Sequence, residues 1–176
     1  MTLALLVAIS VMWFPVALLF LGKGEAKGTG AVTAFVGIVV VLGAILQAAV
    51  FKDAFTAGLL FVHGILYLTV AYALLTGLAD MRSVGNVSLM VAIVSTIYCV
   101  IWFTGGPVLA NGQQLVAKSN YLGLAAAGYA GLTYEVWLNA YGKFPAKGLA
   151  VSLIVWVAVG LLIPAFSLMT TGALPF

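Results

Sequence analysis

Six long apolar runs, separated by short polar segments, constrain the fold of this chain more than any other feature. Each run is close to the ~20 residues that an α-helix needs to cross the ~30 Å hydrocarbon core of a bilayer. Only 6% of the residues are charged, whereas soluble domains carry about 25%, so no folded core could be covered by a hydrated surface. We therefore predict an all-α integral membrane protein with six transmembrane helices in a single domain, residues 1–176. The predicted spans are Thr2–Leu21, Ala31–Phe51, Ala54–Leu78, Asn86–Phe103, Ser119–Ala140 and Gly148–Met169.

The few basic residues predict the orientation of the chain. Loops one, three and five carry Lys23, Lys27, Arg82, Lys143 and Lys147, whereas loops two and four carry only Lys52 and Lys118. Because basic residues accumulate in cytoplasmic loops, we expect a multi-pass protein of the cell membrane with both termini outside. The chain has no basic run, so we expect the lipid bilayer, and not nucleic acid, as its surroundings.

Loops one, three and five also resemble one another. Each places a basic residue shortly before a glycine and a valine that opens the next helix, in GKGEAKGTGAV, ADMRSVGNV and GKFPAKGLAV. The pattern predicts an arrangement of three helical hairpins. Convergence of short cytoplasmic turns on Lys, Arg and Gly is an alternative explanation that stays open.

The supply of reactive side chains argues against catalysis. The chain has one histidine, one cysteine and one carboxylate well inside an apolar run, which cannot supply a three-ligand metal site with supporting groups. It contains no phosphate-binding loop, dinucleotide-binding fingerprint or nucleophile motif in the context that such motifs require. We predict that the protein is not an enzyme and uses no metal or cofactor.

Two titratable residues within apolar runs have two interpretations each. Glu135, near the predicted cytoplasmic end of the fifth helix, either acts at the exit of a solute path or bonds a neighbouring helix end or Lys143. The fifth helix also carries a stripe of small residues, Gly123, Ala127 and Gly131, that would let a neighbouring helix approach closely. His63 in the third helix is either a hydrogen-bonded packing residue or a proton sensor.

Several aromatic residues lie deep within the predicted spans. Any one of Trp13, Phe61, Tyr129 and Trp156 could serve in ordinary packing. Together, and without paired charges nearby, they indicate a narrow apolar and aromatic slot. Such a slot suits a small, flat, uncharged solute and excludes ions, which cannot shed their hydration there.

The chain resembles the AmiS/UreI family of amide and urea channels in several short stretches. These are KGTGAVTAFVG at residues 27–37, GLLF at 58–61, LYL at 66–68, LTYE at 132–135, GKF at 142–144 and IPAF at 163–166. The resemblance implies six-helix protomers assembled as a hexameric ring in the bacterial inner membrane. It also implies passive permeation of urea or short aliphatic amides through each protomer, without a cofactor, to feed a cytoplasmic amidase or urease.

The resemblance further implies which residues line the solute path. Ile9 and Trp13 on the first helix match constriction positions of the family, as do Phe61 and Ile65 on the third helix and Ala125 and Tyr129 on the fifth. Counting back from the proline in IPAF places Trp156 at the position of a glutamate in the last helix of the family.

Two departures from the family pattern bear on the function. The fifth helix has Ala125, Gly128 and Tyr129 in the region where the urea channel carries tryptophans, so a route for amides larger than urea is conceivable. The outer loops contain no histidine, so we expect no activation below pH 6 through histidine protonation. Two other functions stay open, an ion-coupled secondary transporter of a small polar solute and a membrane subunit that transports nothing.

Overall fold

The computed structural model describes residues 2–176, which form an all-helical protein. A chain with long apolar runs can satisfy its backbone hydrogen bonds inside a membrane only within each segment, as helices do. The helices are α1 Thr2–Phe20, α2 Ala26–Ala49, α3 Ala54–Thr76, α4 Arg82–Thr104 and α5 Asn120–Ala140, followed by α6 Ala146–Trp156, a π-helical segment Val157–Leu162 and α7 Ile163–Thr171.

Five helical stretches are long and apolar enough to cross a membrane, with the last one running without a break through the π-helical segment, from Ala146 to Thr171. The fifth helix, α5, has 21 residues but falls below that level of hydropathy within the described chain, because it is rich in glycine, alanine and polar side chains. The prediction of an all-helical membrane protein is confirmed, and five of its six predicted spans meet the criterion of length and composition.

Side-chain caps set the helix boundaries, and one of them moves a boundary away from the predicted position. The Glu25 carboxylate accepts hydrogen bonds from the backbone N–H groups of Lys27 and Gly28. The second helix therefore begins at Ala26, five residues before the predicted start at Ala31, and includes the polar turn that hydropathy assigned to a loop. Asp53 caps α3 in the same way, through a bond from the Thr56 backbone N–H of 2.9 Å.

The most extensive helix packing joins α2 to α3 and α4 to α5, while α1 packs against both α2 and α6. Small residues make the first of these pairs possible, since a Cβ atom on Gly37 would lie 2.9 Å from the Leu68 side chain and one on Gly64 would lie 2.7 Å from Val41. The hairpins around loops one, three and five make smaller contacts, so the arrangement of three repeated hairpins is not confirmed.

The fifth helix approaches α4 along a face that includes only part of the predicted small-residue stripe. Ser88 of α4 donates a hydrogen bond of 2.9 Å to the Thr133 carbonyl of α5. Of the stripe, Gly123 lies against Phe103, whereas a Cβ atom on Gly131 would have no neighbour within 4 Å and Ala127 is exposed in the protomer. Only one end of the stripe therefore mediates close packing within the protomer.

The alternating directions of the helices give the protomer two ends. We call the end with the loops at 21–25, 77–81 and 141–145 the odd-loop end. The opposite end, with the loops at 50–53 and 105–119, is the even-loop end. Loop four at this end folds back on itself through an isolated antiparallel bridge between Val108 and Gln114.

Candidate functional site

Two cavities lie one above the other inside the protomer. The larger, of about 160 Å³, reaches from the middle of the helices toward the odd-loop end, where Leu19 and Met81 line it. The smaller, of about 50 Å³, lies on the even-loop side and is lined by Leu6 and Leu59 among others. A cavity needs about 10–15 Å³ to hold one water molecule, so even the smaller cavity has room for a solute of a few heavy atoms.

Three side chains line both cavities, and we call them the neck: Trp13, His63 and Tyr67. Helix α1 supplies Trp13, and α3 supplies His63 and Tyr67, which share one helix face because they are four residues apart. All three are 5–6% exposed. The ring centroids of His63 and Tyr67 are 6.1 Å apart.

Tyr129 of α5 closes the side of the neck that faces the smaller cavity. Its ring meets the Trp13 ring edge to face, with centroids 5.8 Å apart, and lies 5.9 Å from the His63 ring. Its hydroxyl donates a hydrogen bond of 2.7 Å to the carbonyl of Gly160 in the π-helical segment. The proton of this hydroxyl is therefore committed to the last helix, and Tyr129 presents mainly its ring to the cavity.

His63 holds one ring nitrogen in a fixed bond and leaves the other free. The Nδ1 atom lies 3.0 Å from the Leu59 carbonyl. A carbonyl only accepts, so Nδ1 carries the proton and donates. The Nε2 atom is buried and has no hydrogen-bond partner among residues 2–176. His63 thus lines both cavities with a neutral ring whose second nitrogen has no partner in the described chain.

Three polar side chains of the larger cavity already donate hydrogen bonds to backbone carbonyls. Thr33 donates its hydroxyl proton to the Thr29 carbonyl at 2.7 Å, and Thr133 donates to the Tyr129 carbonyl at 2.8 Å. Asn139 donates from its side-chain amide to the Phe144 carbonyl at 2.9 Å. Their oxygens remain as acceptors for the N–H groups of a solute, and the Tyr67 hydroxyl of the same wall can donate.

The structure brings three of the seven predicted path residues to these cavities. Trp13 is in the neck, and Ile9 and Tyr129 line the smaller cavity. Trp156 lies behind Tyr129, with ring centroids 6.3 Å apart, and lines neither cavity. Ala125 is buried but also lines neither.

Phe61 and Ile65 do not line either cavity; each is 42% exposed on the outer surface of the protomer. They precede His63 and Tyr67 by two residues each. Two residues turn an α-helix by about 200°, so the two pairs lie on opposite faces of α3. His63 and Tyr67, which are also four residues apart, are the pair that lines the cavities of the protomer.

Glu135 is half-buried and lines neither cavity. Its Oε1 atom accepts a hydrogen bond of 3.0 Å from the Ser152 hydroxyl of α6, and its Oε2 atom is buried without a partner among residues 2–176. Of its two interpretations, this geometry favours a carboxylate that links α5 to a neighbouring helix. In the part of the chain that the structure describes, no three His, Cys, Asp or Glu side chains are grouped as a metal site requires.

Comparison with known proteins gives both a family and a fold. A family model described as AmiS/UreI family transporter matches residues 1–172. The fold is similar to the crystal structure of the urea channel from the human gastric pathogen Helicobacter pylori, with a TM-score of 0.80 and 19% identity over 98% of this chain and 99% of that chain. It is also similar to the cryoEM structure of the Helicobacter pylori urea channel in the closed state, with a TM-score of 0.77 and 18% identity over 99% of this chain and 100% of that one. No match was found among curated proteins.

Proposed function

This chain belongs to the AmiS/UreI family of transporters, and from that premise we propose that it is a passive channel for urea or short aliphatic amides. Membership in a family of membrane channels makes the chain a transport protein and not an enzyme. The fold is also similar to that of the Helicobacter pylori urea channel. The choice between urea and amides is part of the proposal.

The observation that carries this proposal is the pair of neighbouring cavities that share the residues of the neck within a single protomer. All of the side chains that line the two cavities are uncharged, and most are aliphatic or aromatic. An ion would have to leave its hydration shell without a charged partner, at a cost of many kcal/mol, whereas a neutral amide loses only a few hydrogen bonds. The path therefore favours small neutral solutes.

We propose that the solute passes Ile9 and Tyr129, crosses the neck, and leaves through the larger cavity past Thr133 and Asn139. Trp156 supports the path from behind by holding the Tyr129 ring. The odd-loop end is the cytoplasmic end in this proposal, in keeping with its five basic residues, and both termini then lie outside. A cytoplasmic amidase or urease would consume the solute.

Large apolar side chains remain exposed around the protomer, Phe61, Ile65 and Phe35 among them. In a membrane they face lipid or another copy of the chain. We include assembly into a hexameric ring in the proposal, with one solute path in each protomer. Each protomer of the ring would then contribute the hairpins around loops one, three and five, although the most extensive packing within a protomer joins α2 to α3 and α4 to α5.

The position of Glu135 argues against the ion-coupled alternative. Coupled transporters place ionisable groups at the solute site near the middle of the membrane. Here the carboxylate is bonded to Ser152 and stands outside both cavities.

Stopped-flow light scattering on proteoliposomes tests the proposal. Vesicles with the purified protein and empty vesicles are challenged with urea, acetamide or glycerol at equal osmolarity, at pH 7.5 and pH 5.5. We expect urea or acetamide flux well above the empty vesicles without any ion gradient, and no rise in flux at pH 5.5. Flux that equals the empty vesicles for both solutes at both pH values, or that requires an ion gradient, contradicts a passive channel.

A further inference from the structure

We infer that Nε2 of His63 is a hydrogen-bond acceptor for the N–H groups of the permeating solute and makes the neck selective for molecules that donate. This inference rests on the proposed channel function and adds to it a specificity-determining residue on α3. It starts from an unusual combination in the described chain, a side chain only 5% exposed whose Nε2 atom is buried without a partner.

The tautomer of His63 follows from its contact with the backbone. Nδ1 can only donate to the Leu59 carbonyl, at 3.0 Å. A second proton on Nε2 would make the ring a cation, and the side chains that share the two cavities with it include no carboxylate. A buried charge without a partner is costly, so the neutral ring with a lone pair on Nε2 is the stable form.

The His63 side chain lies at the point where a solute has lost most of its water. His63 lines both cavities, with Trp13 and Tyr67 beside it. These rings stack against a flat solute. The Tyr129 hydroxyl is not free to donate to the solute, because it already donates a hydrogen bond to the Gly160 carbonyl. An N–H group of urea or an amide that reaches the neck recovers at Nε2 one of the hydrogen bonds that it left in water.

The wall beyond the neck continues the same chemistry. Thr33 and Thr133 have donated their hydroxyl protons to backbone carbonyls and keep acceptor lone pairs. A solute with two N–H donors can therefore leave Nε2 for a second acceptor in the larger cavity. A solute of the same size without donors gains no hydrogen bond at Nε2.

A matched pair of variants separates the acceptor from the shape of the side chain. His63→Gln keeps an acceptor oxygen at about the reach of Nε2, and His63→Met fills a similar volume with only a weak acceptor. We expect His63→Met to lower acetamide and urea flux about five- to tenfold, as for one lost hydrogen bond, and His63→Gln to restore most of it. Both variants must elute as monodisperse protein. An equal loss of flux in both then overturns the inference, whereas the proposed function, which rests on the wild-type flux, is unaffected.

Because His63 is the only histidine of the chain, ¹⁵N NMR of histidine-labelled protein reads it without ambiguity. We expect one protonated and one unprotonated ring nitrogen, and a shift of the unprotonated resonance alone as acetamide is added. A proton on Nε2 in the absence of solute, or a resonance unmoved by saturating acetamide, overturns the inference. This titration also decides the matter if the wild type shows no flux, a result that would count against the proposed function.

Discussion

The hydroxyl of Tyr129 donates a hydrogen bond of 2.7 Å to the backbone carbonyl of Gly160. Tyr121, two turns earlier on α5, does the same to the carbonyl of Val159, at 2.6 Å. Both carbonyls lie just before Pro164, which has no N–H to offer either of them. Two tyrosines of α5 thus satisfy the backbone groups that the proline leaves free, and the π-helical segment is stabilised from outside its own helix.

We expect Tyr129→Phe to destabilise the protein while leaving the ring in place. The substitution leaves the buried Gly160 carbonyl without its donor, which costs about 1–3 kcal/mol. The melting temperature in detergent should fall, as followed by the loss of monodisperse protein on heating. Tyr134→Phe, on the same helix with an exposed side chain, is the matched control. Equal melting temperatures for Tyr129→Phe and the wild type would show that the bond contributes nothing.

Hydropathy was enough to predict the helices but not all of their boundaries. The predicted start at Ala31 missed the first turn of α2, because Glu25 caps that turn and compensates for its polar residues. The π-helical segment was beyond prediction for a different reason. The sequence shows Pro164, but the hydroxyls that donate to the carbonyls left free before it come from residues more than thirty positions away.

The cavities are lined by some of the residues that the sequence predicted for the solute path and by others that it did not. Trp13 and Tyr129, which the family resemblance implied, both line the smaller cavity. On α3, the resemblance selected Phe61 and Ile65, whereas His63 and Tyr67 reach the cavities. Because apolar residues cover all sides of a membrane helix, periodicity cannot tell the inward face from the lipid face. The available signal was polarity, since a histidine and a tyrosine one turn apart avoid lipid.

Two glycines of α5 have different surroundings, so we expect substitution by alanine to have opposite effects on stability at the two positions. A Cβ atom on Gly128 would overlap the Trp156 indole ring, which also packs against Tyr129. We expect Gly128→Ala to destabilise the protein by about 1–3 kcal/mol or more, the usual cost of overpacking a rigid core. In Gly131→Ala the new methyl group meets nothing within 4 Å, so its melting temperature should match the wild type or exceed it. If both variants melt like the wild type, the close contact between α5 and the last helix is not present in the membrane protein.

The carboxyl group of Asp53, in loop two, should make the stability of the fold depend on pH in the acid range. Burial raises the pKa of this carboxyl, but hydrogen bonds from the Thr56 backbone and hydroxyl and from the Gln47 amide outweigh it, and the pKa lies below its ordinary value of 3.8. A lowered pKa in the folded state means that the carboxylate stabilises the fold above about pH 4 and that this contribution is lost as the pH falls through the lowered pKa.

The difference between the wild type and Asp53→Asn isolates this contribution, because asparagine keeps the helix cap but has no charge. We expect the wild type to melt at a higher temperature at pH 6 and the difference to shrink between pH 4 and pH 2.5. Circular dichroism melts in detergent measure both. A difference that stays constant over this range would mean that the Asp53 carboxyl does not titrate with folding.

Trp13 sets the width of the neck, since it lines both cavities and its ring meets Tyr129 edge to face. Shortening this side chain should let larger amides through. We expect the permeability ratio of butyramide to acetamide to rise from the wild type to Trp13→Phe to Trp13→Ala. The total rise should be about tenfold or more, because butyramide is two methylenes longer than acetamide and one methylene changes discrimination about 10–200-fold in a fitted apolar site.

Phe14 is the matched control for this prediction, because it follows Trp13 in α1 but is 45% exposed on the outer surface of the protomer. Phe14→Ala should keep the wild-type ratio. Since truncating a buried tryptophan to alanine costs about 3–5 kcal/mol, flux is compared at equal amounts of folded protein, and Trp13→Phe carries the test if Trp13→Ala does not fold. An unchanged ratio in folded Trp13→Phe, or an equal rise in Phe14→Ala, would move the selective constriction away from the neck, because the bulk of Trp13 would then have no influence on which solute passes.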